Sequence, residues 1–477
     1  MKNVLTIALI AVLVWSCKTD KKDEPVLIED KTSEDILAPI SEDILESAII
    51  YEANIRQYSP EGTFQEFTKD IPELKKLGVK IIWLMPVFPI SETKRKATGG
   101  RDSKFASDFP EDEQSKYLGS YYAVTDFTKI NPEFGTIEDF RELVNMARKN
   151  SMYVILDWVP NHTGWDHEWL KTNPDYYTQN EDGEVIHPEG TDWTDVADLN
   201  YDNKSMRKDM LDDMSYWITK EGVDGFRCDV AGSVPLDFWQ ETIPELRKQK
   251  DIFMLAEAWE PELMKGNDLF DMAYAWDGHH LLNSLAKGEK NLKDFEAYTT
   301  KIFKDYETND ILMNFVTNHD ENSWNGTIKE RMGDASELMT VFSYMQKGMP
   351  LIYTGQEYDL AHRLKFFEKD SIPKVKGKTW QLLEKLAVLK QENEALHGGR
   401  NGAAFVSLVS NNEHVLDMVR KKGKSKIRFI GNFSNNEQMF NSTTSGTFVD
   451  FMTDSNIELK AGEALTLQPW EYKILIQ

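Results

Sequence analysis

Arg227 and Asp229 stand two residues apart in Gly225-Phe226-Arg227-Cys228-Asp229, within the apolar run 223–230. In an extended strand, residues i and i+2 share a face, so this spacing sets a guanidinium beside a carboxylate. Such a pair is often only a structural ion pair. Two further acids change its weight: Glu257 ends the apolar run 252–256, and Asp320 follows the run 311–316. Carboxylates at the ends of separate strands converge when the strands lie parallel. A converged set can supply a nucleophile and a proton donor.

The elements that must bring these acids together are legible in the pattern. From residue 49 onward, short apolar runs alternate with helical periods, as in parallel β/α units. Eight strands are predicted over 49–54, 79–86, 153–158, 223–230, 252–258, 272–276, 311–318 and 350–353, with helices such as 136–149, 204–220 and 335–347 between them. Eight units imply an α/β fold, a closed (β/α)8 TIM barrel built from 47–162 and 199–396. In that fold chemistry sits at the C-terminal ends of the strands, where all three acids fall.

Two connections exceed what a barrel unit needs. The charged, Gly- and Ser-containing stretch 91–119 reads either as a flexible rim loop or as a cleft wall. The polar, aromatic stretch 163–198 reads as a short inserted subdomain after the third strand. Beyond a last helix at 379–396, short alternating strands at 404–409, 415–419, 426–432, 447–450 and 472–476 predict a C-terminal antiparallel β-sandwich over 397–477. It carries no catalytic constellation, so its expected role is structural.

A chain of 477 residues accommodates such a barrel plus a smaller domain. The net charge of −25 argues against a nucleic-acid partner, which needs a basic footprint. An uncharged substrate fits better. Thirteen Trp and seventeen Tyr suit stacking on sugar rings, and equally suit filling cores.

Lys2, the apolar run 4–14 and Ser16-Cys17 follow the order of a secretory signal too short to span a bilayer. The ending at Cys17 resembles a bacterial lipoprotein signal, with 1–16 removed and Cys17 lipidated, and the acidic Lys22-Asp23-Glu24 resembles a surface-export tag of Bacteroidetes lipoproteins. The polar stretch 17–46 is then expected to be a disordered tether, and the protein a secreted, outer-membrane lipoprotein, surface-exposed or periplasmic. With Cys17 so used, Cys228, the other cysteine, has no disulfide partner and reads as a small buried hydrophobe.

Six motifs, in order, resemble those of the α-amylase superfamily, glycoside hydrolase family 13. They are Asp157-Trp158-Val159-Pro160-Asn161-His162, Val196-Ala197-Asp198-Leu199-Asn200, Gly225-Phe226-Arg227-Cys228-Asp229, Glu257-Ala258-Trp259, Phe315-Val316-Thr317-Asn318-His319-Asp320 and the run from Gly348 to Glu357. The resemblance covers nearly everything after the tether. It implies Asp229 as nucleophile, Glu257 as general acid/base and Asp320 as the third carboxylate. It also implies that Tyr122, His162 and His319 bind the reacting sugar. Arg227 is expected to touch the same site and keep Asp229 ionised, while Glu257 must stay protonated near neutral pH. Asp157 reads as a support for Arg227.

The chemistry itself needs no cofactor. Asn161 and Asp198 read either as strand-end residues or, by resemblance, as ligands of a structural Ca2+. Gly232-Ser233 stands where many α-amylases carry Lys-His, which weakens both a typical leaving-group subsite and that calcium. Val230 and Asp198-Leu199-Asn200 resemble the oligo-1,6-glucosidase and neopullulanase side of the family. The short insert implies an open cleft, suited to internal cleavage of α-1,4 bonds in starch-like glucans. The alternatives are an α-1,6-acting enzyme, a transglycosylase, or a non-catalytic glucan-binding surface protein.

Overall fold

The computed structural model describes residues 37–266, 268–408 and 410–477. The predicted signal peptide and Cys17 lie outside the described residues, as does Val409 at the end of one predicted strand. In chain order, the strands begin with β1 (Ile50–Ala53), β2 (Ile81–Leu84), β3 (Tyr153–Trp158), β4 (His162–Gly164), β5 (Val196–Asp198) and β6 (Gly225–Cys228). They continue with β7 (Phe253–Ala256), β8 (Met272–Tyr274), β9 (Ile311–Asn314) and β10 (Met349–Tyr353). Eight of them close a parallel barrel in the order β1-β10-β9-β8-β7-β6-β3-β2. Each barrel strand is buried along its whole length, as strands covered on both faces must be.

Strand periodicity divides the core in two. Ile50, Ile81, Trp83, Tyr153, Ile155, Phe253, Leu255, Met272, Ile311, Met313, Met349 and Leu351 fill the barrel interior. Their neighbours, such as Tyr51, Ile82, Val154 and Met254, face the surrounding helices. Following the inward series toward the C-terminal ends, Ile50 leads to Glu52, Ile155 to Asp157, Leu255 to Glu257, and Gly225 to Arg227 and Asp229. The same two-residue step that packs the barrel therefore raises the polar groups into its top layer. Gly225 has a reason to be glycine: its φ is 145°, and a Cβ there would lie 1.9 Å from the Phe253 carbonyl oxygen.

The folded body starts earlier than the tether expectation placed it. A helix, Glu42–Ser47, precedes β1. Leu45 and Ala48, with Leu37, Ile40 and Ile44, pack on the interior cluster, and Tyr153 donates to the Ala38 carbonyl at 2.9 Å. The apolar spacing of 37, 40, 44 and 45 was masked by the surrounding charge. The helix predicted at 204–220 also differs: it is α-helical over Lys204–Tyr216 and widens to a π turn at Trp217–Glu221 before Gly222. β4 and β5 pair antiparallel and form the base of the inserted subdomain.

After the helix Lys378–Glu392 come β11 (Ala404–Ser407), β12 (Val415–Lys422), β13 (Ser425–Asn432), β14 (Gln438–Asn441), β15 (Gly446–Asp450), β16 (Ser455–Leu459), β17 (Ala464–Leu467) and β18 (Tyr472–Ile476). They form a six-stranded sheet, β11-β12-β13-β18-β15-β16, and a two-stranded β14-β17 sheet, with Val415, Ile430, Phe440, Phe448, Leu459, Leu467 and Leu475 in a shared core. β14, β16 and β17 were not predicted, because each buries few apolar side chains.

Arg420 on β12 is buried and ties this module to the barrel, donating to the carbonyls of Met345, Gln346 and His397 at 2.9, 2.5 and 2.8 Å. Arg420→Ala leaves three carbonyls without that donor, and a destabilisation of about 3 kcal/mol is expected. Urea unfolding of the variant checks it; an unchanged midpoint would show that the sheet-to-barrel joint does not depend on this side chain.

Candidate active site

The inward residues at the strand ends meet around one buried cation. Arg227 is fully buried; its Nη1 donates to Asp157 Oδ1 at 2.7 Å and to Asp229 Oδ1 at 2.9 Å. Its Nη2 lies 2.7 Å from Glu257 Oε2. That last contact lacks the alignment of a hydrogen bond, so it is a charge–charge contact. Its Nε donates to the Tyr274 hydroxyl at 3.2 Å, and the guanidinium lies 4.9 Å from the Trp83 ring centroid. β3 and β6 pair with Asp157 opposite Arg227, so strand register alone sets the first ion pair. Asp157 also accepts from Trp83 Nε1 at 3.1 Å, in the supporting position expected of it.

The backbone adds to the clamp. Val230, directly after Asp229, holds φ at 37°, a left-handed conformation that a β-branched residue rarely adopts. This turns its N–H onto Glu257 Oε2 at 2.9 Å. The protonation pattern differs from the sequence expectation as a result. Burial pushes Asp229 well above the usual carboxylate range despite Arg227. Glu257 is buried too, yet the Arg227 guanidinium and the Val230 N–H hold it below its ordinary value, with a hydrogen bond from the Asp229 carboxyl adding to the effect.

A cavity of about 360 Å³ opens above this layer. Asp229, Glu257, Asp320, Tyr122, His162 and His319, all singled out from sequence, line it together. Arg227 does not: it lies beneath the floor and acts on the carboxylates rather than on a ligand. His319 Nε2 is 3.3 Å from Asp320 Oδ2 and 2.8 Å from the Tyr122 hydroxyl, which is itself 3.2 Å from Asp157. His162 is buried beside the ring of Trp193, and burial lowers it to about 3, so it is neutral.

Sequence reasoning missed Glu52, which is fully buried at the end of β1 and pairs with His319 Nδ1. The inward alternation from Ile50 could have found it. It also missed Lys96, whose ammonium pairs with Asp195 at 3.5 Å and with the Asp192 carbonyl, joining the 91–119 loop to the inserted subdomain at the cavity edge. That loop is thus a wall of the cavity, of the two readings left open for it. At Gly232, where the family pattern departs, a Cβ would stand 2.3 Å from Glu260 Oε2, so a neighbouring carboxylate fills the side-chain space.

The calcium expectation finds little support in the donor set. Asn161 Nδ2 is 3.2 Å from His162 Nδ1, and Asp198 pairs across from His162 on β5. Calcium takes about six to eight oxygens, often several carboxylates. Among the described residues, no group of three or more His, Cys, Asp or Glu side chains is placed to hold a metal. Asn161 and Asp198 alone do not fit such a site.

A TIM barrel whose top layer clamps two carboxylates on one arginine beneath a polar, aromatic cavity defines a glycoside-hydrolase type of protein. The family model "Alpha amylase, catalytic domain" matches residues 30–184 and 190–395, and the chain belongs to that family. Alpha-amylase 3 of Dictyoglomus thermophilum is 26% identical over 350 residues, covering 65% of this chain and 64% of its own length. A cyclomaltodextrinase of Thermoanaerobacter pseudethanolicus is 25% identical over 436 residues, 86% of this chain and 70% of its own. The solved structure of the maltogenic alpha-amylase AmyB from Thermotoga neapolitana superposes with a TM-score of 0.78 at 26% identity, covering 91% of this chain and 99% of that one. The matches span 44–64% of the lengths of the first three sequence relatives.

His319 gives this site a measurable pH signature. Burial disfavours its charge, but Asp320 and Glu52 outweigh that and raise it to about 9. An unfolded histidine titrates near about 6.5, so the stabilisation from the protonated ring is complete below that pH and is lost as pH rises through the folded value. His319→Gln should cost on the order of 3 kcal/mol near pH ~6 and progressively less as pH climbs past the folded value. Denaturant midpoints of both proteins across that window test this; a gap that stays constant refutes it.

Proposed function

We propose that the protein is a retaining glycoside hydrolase that cleaves α-1,4-glucosidic bonds in starch-like α-glucans or maltooligosaccharides by double displacement. The observation that carries the reading is the convergence of both carboxyls on one guanidinium, Asp229 Oδ1 2.9 Å from Nη1 and Glu257 Oε2 2.7 Å from Nη2 of Arg227. Two carboxyls held on one guanidinium suit the close pair, about 5–5.5 Å apart, of a retaining enzyme better than the gap of about 6.5–9.5 Å that an inverting enzyme needs for its water. The names of the relatives, amylases and a cyclomaltodextrinase, support an α-glucan as the substrate class.

Asp229 attacks the anomeric carbon while Glu257 gives a proton to the departing glycosidic oxygen. Glu257 then takes a proton from water, which displaces Asp229 and leaves the α configuration in place. For this, Glu257 must carry the proton and Asp229 must be ionised once the sugar has arrived. The arriving glycosidic oxygen accepts a hydrogen bond from a protonated Glu257, and Arg227 then serves the ionised Asp229. Asp320, with His319 and Tyr122 held by Glu52 and Asp157, grips ring hydroxyls as positive charge develops.

A second reading, transfer to another sugar in place of water, is favoured by Trp259. It lies two residues beyond Glu257, is 52% exposed, and stacks on Trp276 at 5.3 Å, a platform on which an acceptor sugar could sit. A lipid anchor on Cys17 would hold the enzyme at the outer membrane, where polymeric substrate arrives; this rests on the N-terminal sequence.

Asp229→Asn and Glu257→Gln should each lower turnover of maltoheptaose by roughly 10³-fold or more while leaving the fold intact, and the first product of the wild type should be the α anomer by proton NMR. Normal turnover in the Asp229 variant, or a β product, would sink the mechanism. Cys17→Ser should move the protein from the membrane fraction to the soluble one; continued sedimentation with membranes would remove the anchor.

A further inference from the structure

At one side of the cavity a loop meets an aromatic cluster, whose Trp324 is 43% exposed. A Cβ at Gly99 would stand 2.8 Å from the Trp324 ring and 3.7 Å from that of Phe367, so the 91–119 loop meets the segments after β9 and β10 across the barrel mouth. The contact is braced on both sides. Leu118 donates its N–H to the Phe367 carbonyl at 2.7 Å, and Tyr117 bridges to Glu368. At its other edge the same loop is pinned by Lys96 to Asp195. Trp324 packs on Phe366 at 5.0 Å, and Phe366 lies parallel to Tyr122 at 6.5 Å between centroids.

Which side this is follows from the chemistry. Glu257 protonates the leaving oxygen, so the leaving part of the chain departs past Glu257, Val230 and the exposed Trp259. Trp324 follows Asp320 by four residues, and Phe366 stacks on Tyr122, so the wall stands behind the groups that grip the reacting ring. It faces the non-reducing end of a bound glucan. The cavity's volume of about 360 Å³ also sits near the bottom of the range for a single small ligand, about 300–1,000 Å³.

We infer that the site accepts only a short non-reducing chain end, and that the Gly99–Trp324–Phe367 contact is the stop that makes the enzyme act from chain termini instead of cutting internally. On this inference the 91–119 loop, from a different strand, closes the site, in place of the open cleft expected from the short inserted subdomain. The inference rests on the α-glucan reading of the same site. Trp324 acts here as a specificity residue, by excluding chain rather than by touching the reacting atoms.

The test compares maltoheptaose with maltoheptaose whose non-reducing glucose is blocked by a 4,6-O-ethylidene group, using the soluble protein from residue 37. The wild type should cleave the free chain and act on the blocked one at least about 100-fold more slowly, a discrimination by steric exclusion. Trp324→Ala should raise cleavage of the blocked chain at least about tenfold relative to the free one, a gain that misfolding cannot produce. Equal cleavage of both chains by the wild type overturns the inference and leaves the α-glucan reading standing. Cleavage of neither rejects both. A folded Trp324→Ala whose blocked-to-free ratio matches the wild type removes Trp324 as the stop.

Discussion

Burying an unpaired guanidinium costs several kcal/mol, and Arg227 is buried completely. The top of the barrel is organised by that constraint. Three carboxylates surround the cation within 3 Å, and only Asp157 is as deeply buried as Arg227 itself; Asp229 and Glu257 reach the cavity. The division is functional. Asp157, with Trp83 and Tyr274, compensates the charge permanently, which leaves Asp229 and Glu257 free to exchange roles around it during a reaction. One cation among three acids leaves the set with excess negative charge, and burial adds to it in raising Asp229 above the usual carboxylate range.

A second charged pair repeats this logic on the opposite wall. Glu52, on β1, faces His319 from below as Asp157 faces Arg227, and together with Asp320 it raises the imidazole to about 9. A protonated His319 donates from both ring nitrogens: one bond goes to Glu52, and the other is directed toward the Tyr122 hydroxyl and Asp320. The acids that line the cavity are therefore each oriented by a cation, and each cation is fixed by an acid that does not line it. Strand alternation produces both arrangements, since it places one inward residue per strand at the top layer.

What could be read from the sequence follows the same boundary. The barrel and the residues Asp229, Glu257, Asp320, Tyr122, His162 and His319 were visible because strand patterns are local and the motifs lie on strand ends. The buried partner Glu52 was visible in principle, two residues after Ile50 on an inward face, but a single acid in Tyr51-Glu52-Ala53 carries no local signal of what it meets 267 residues later. The electrostatic outcome at Glu257 was misjudged for a related reason. Burial and neighbouring acids were legible, whereas the closeness of the Arg227 guanidinium to Glu257 and the direction of the Val230 N–H, which together hold Glu257 below its ordinary value, were not.

Loop closure is the feature least accessible from sequence. The 91–119 stretch is polar, charged and without period, which is the composition of a solvated rim as much as of a wall. Its placement comes from pairwise contacts with segments more than 200 residues away, of Gly99 with Trp324 and of Leu118 with Phe367. Gly99 permits the first because any side chain would collide with the indole, and the second is a backbone bond indifferent to residue type. Neither leaves a trace in hydrophobic pattern. The carboxylate layer is thus written in strand periodicity, while the wall of the cavity proposed to limit the entering chain is set by contacts between loops. Two proteins of this family can carry the same carboxylates on the same strands and still differ in whether they cut within a glucan or only at its end.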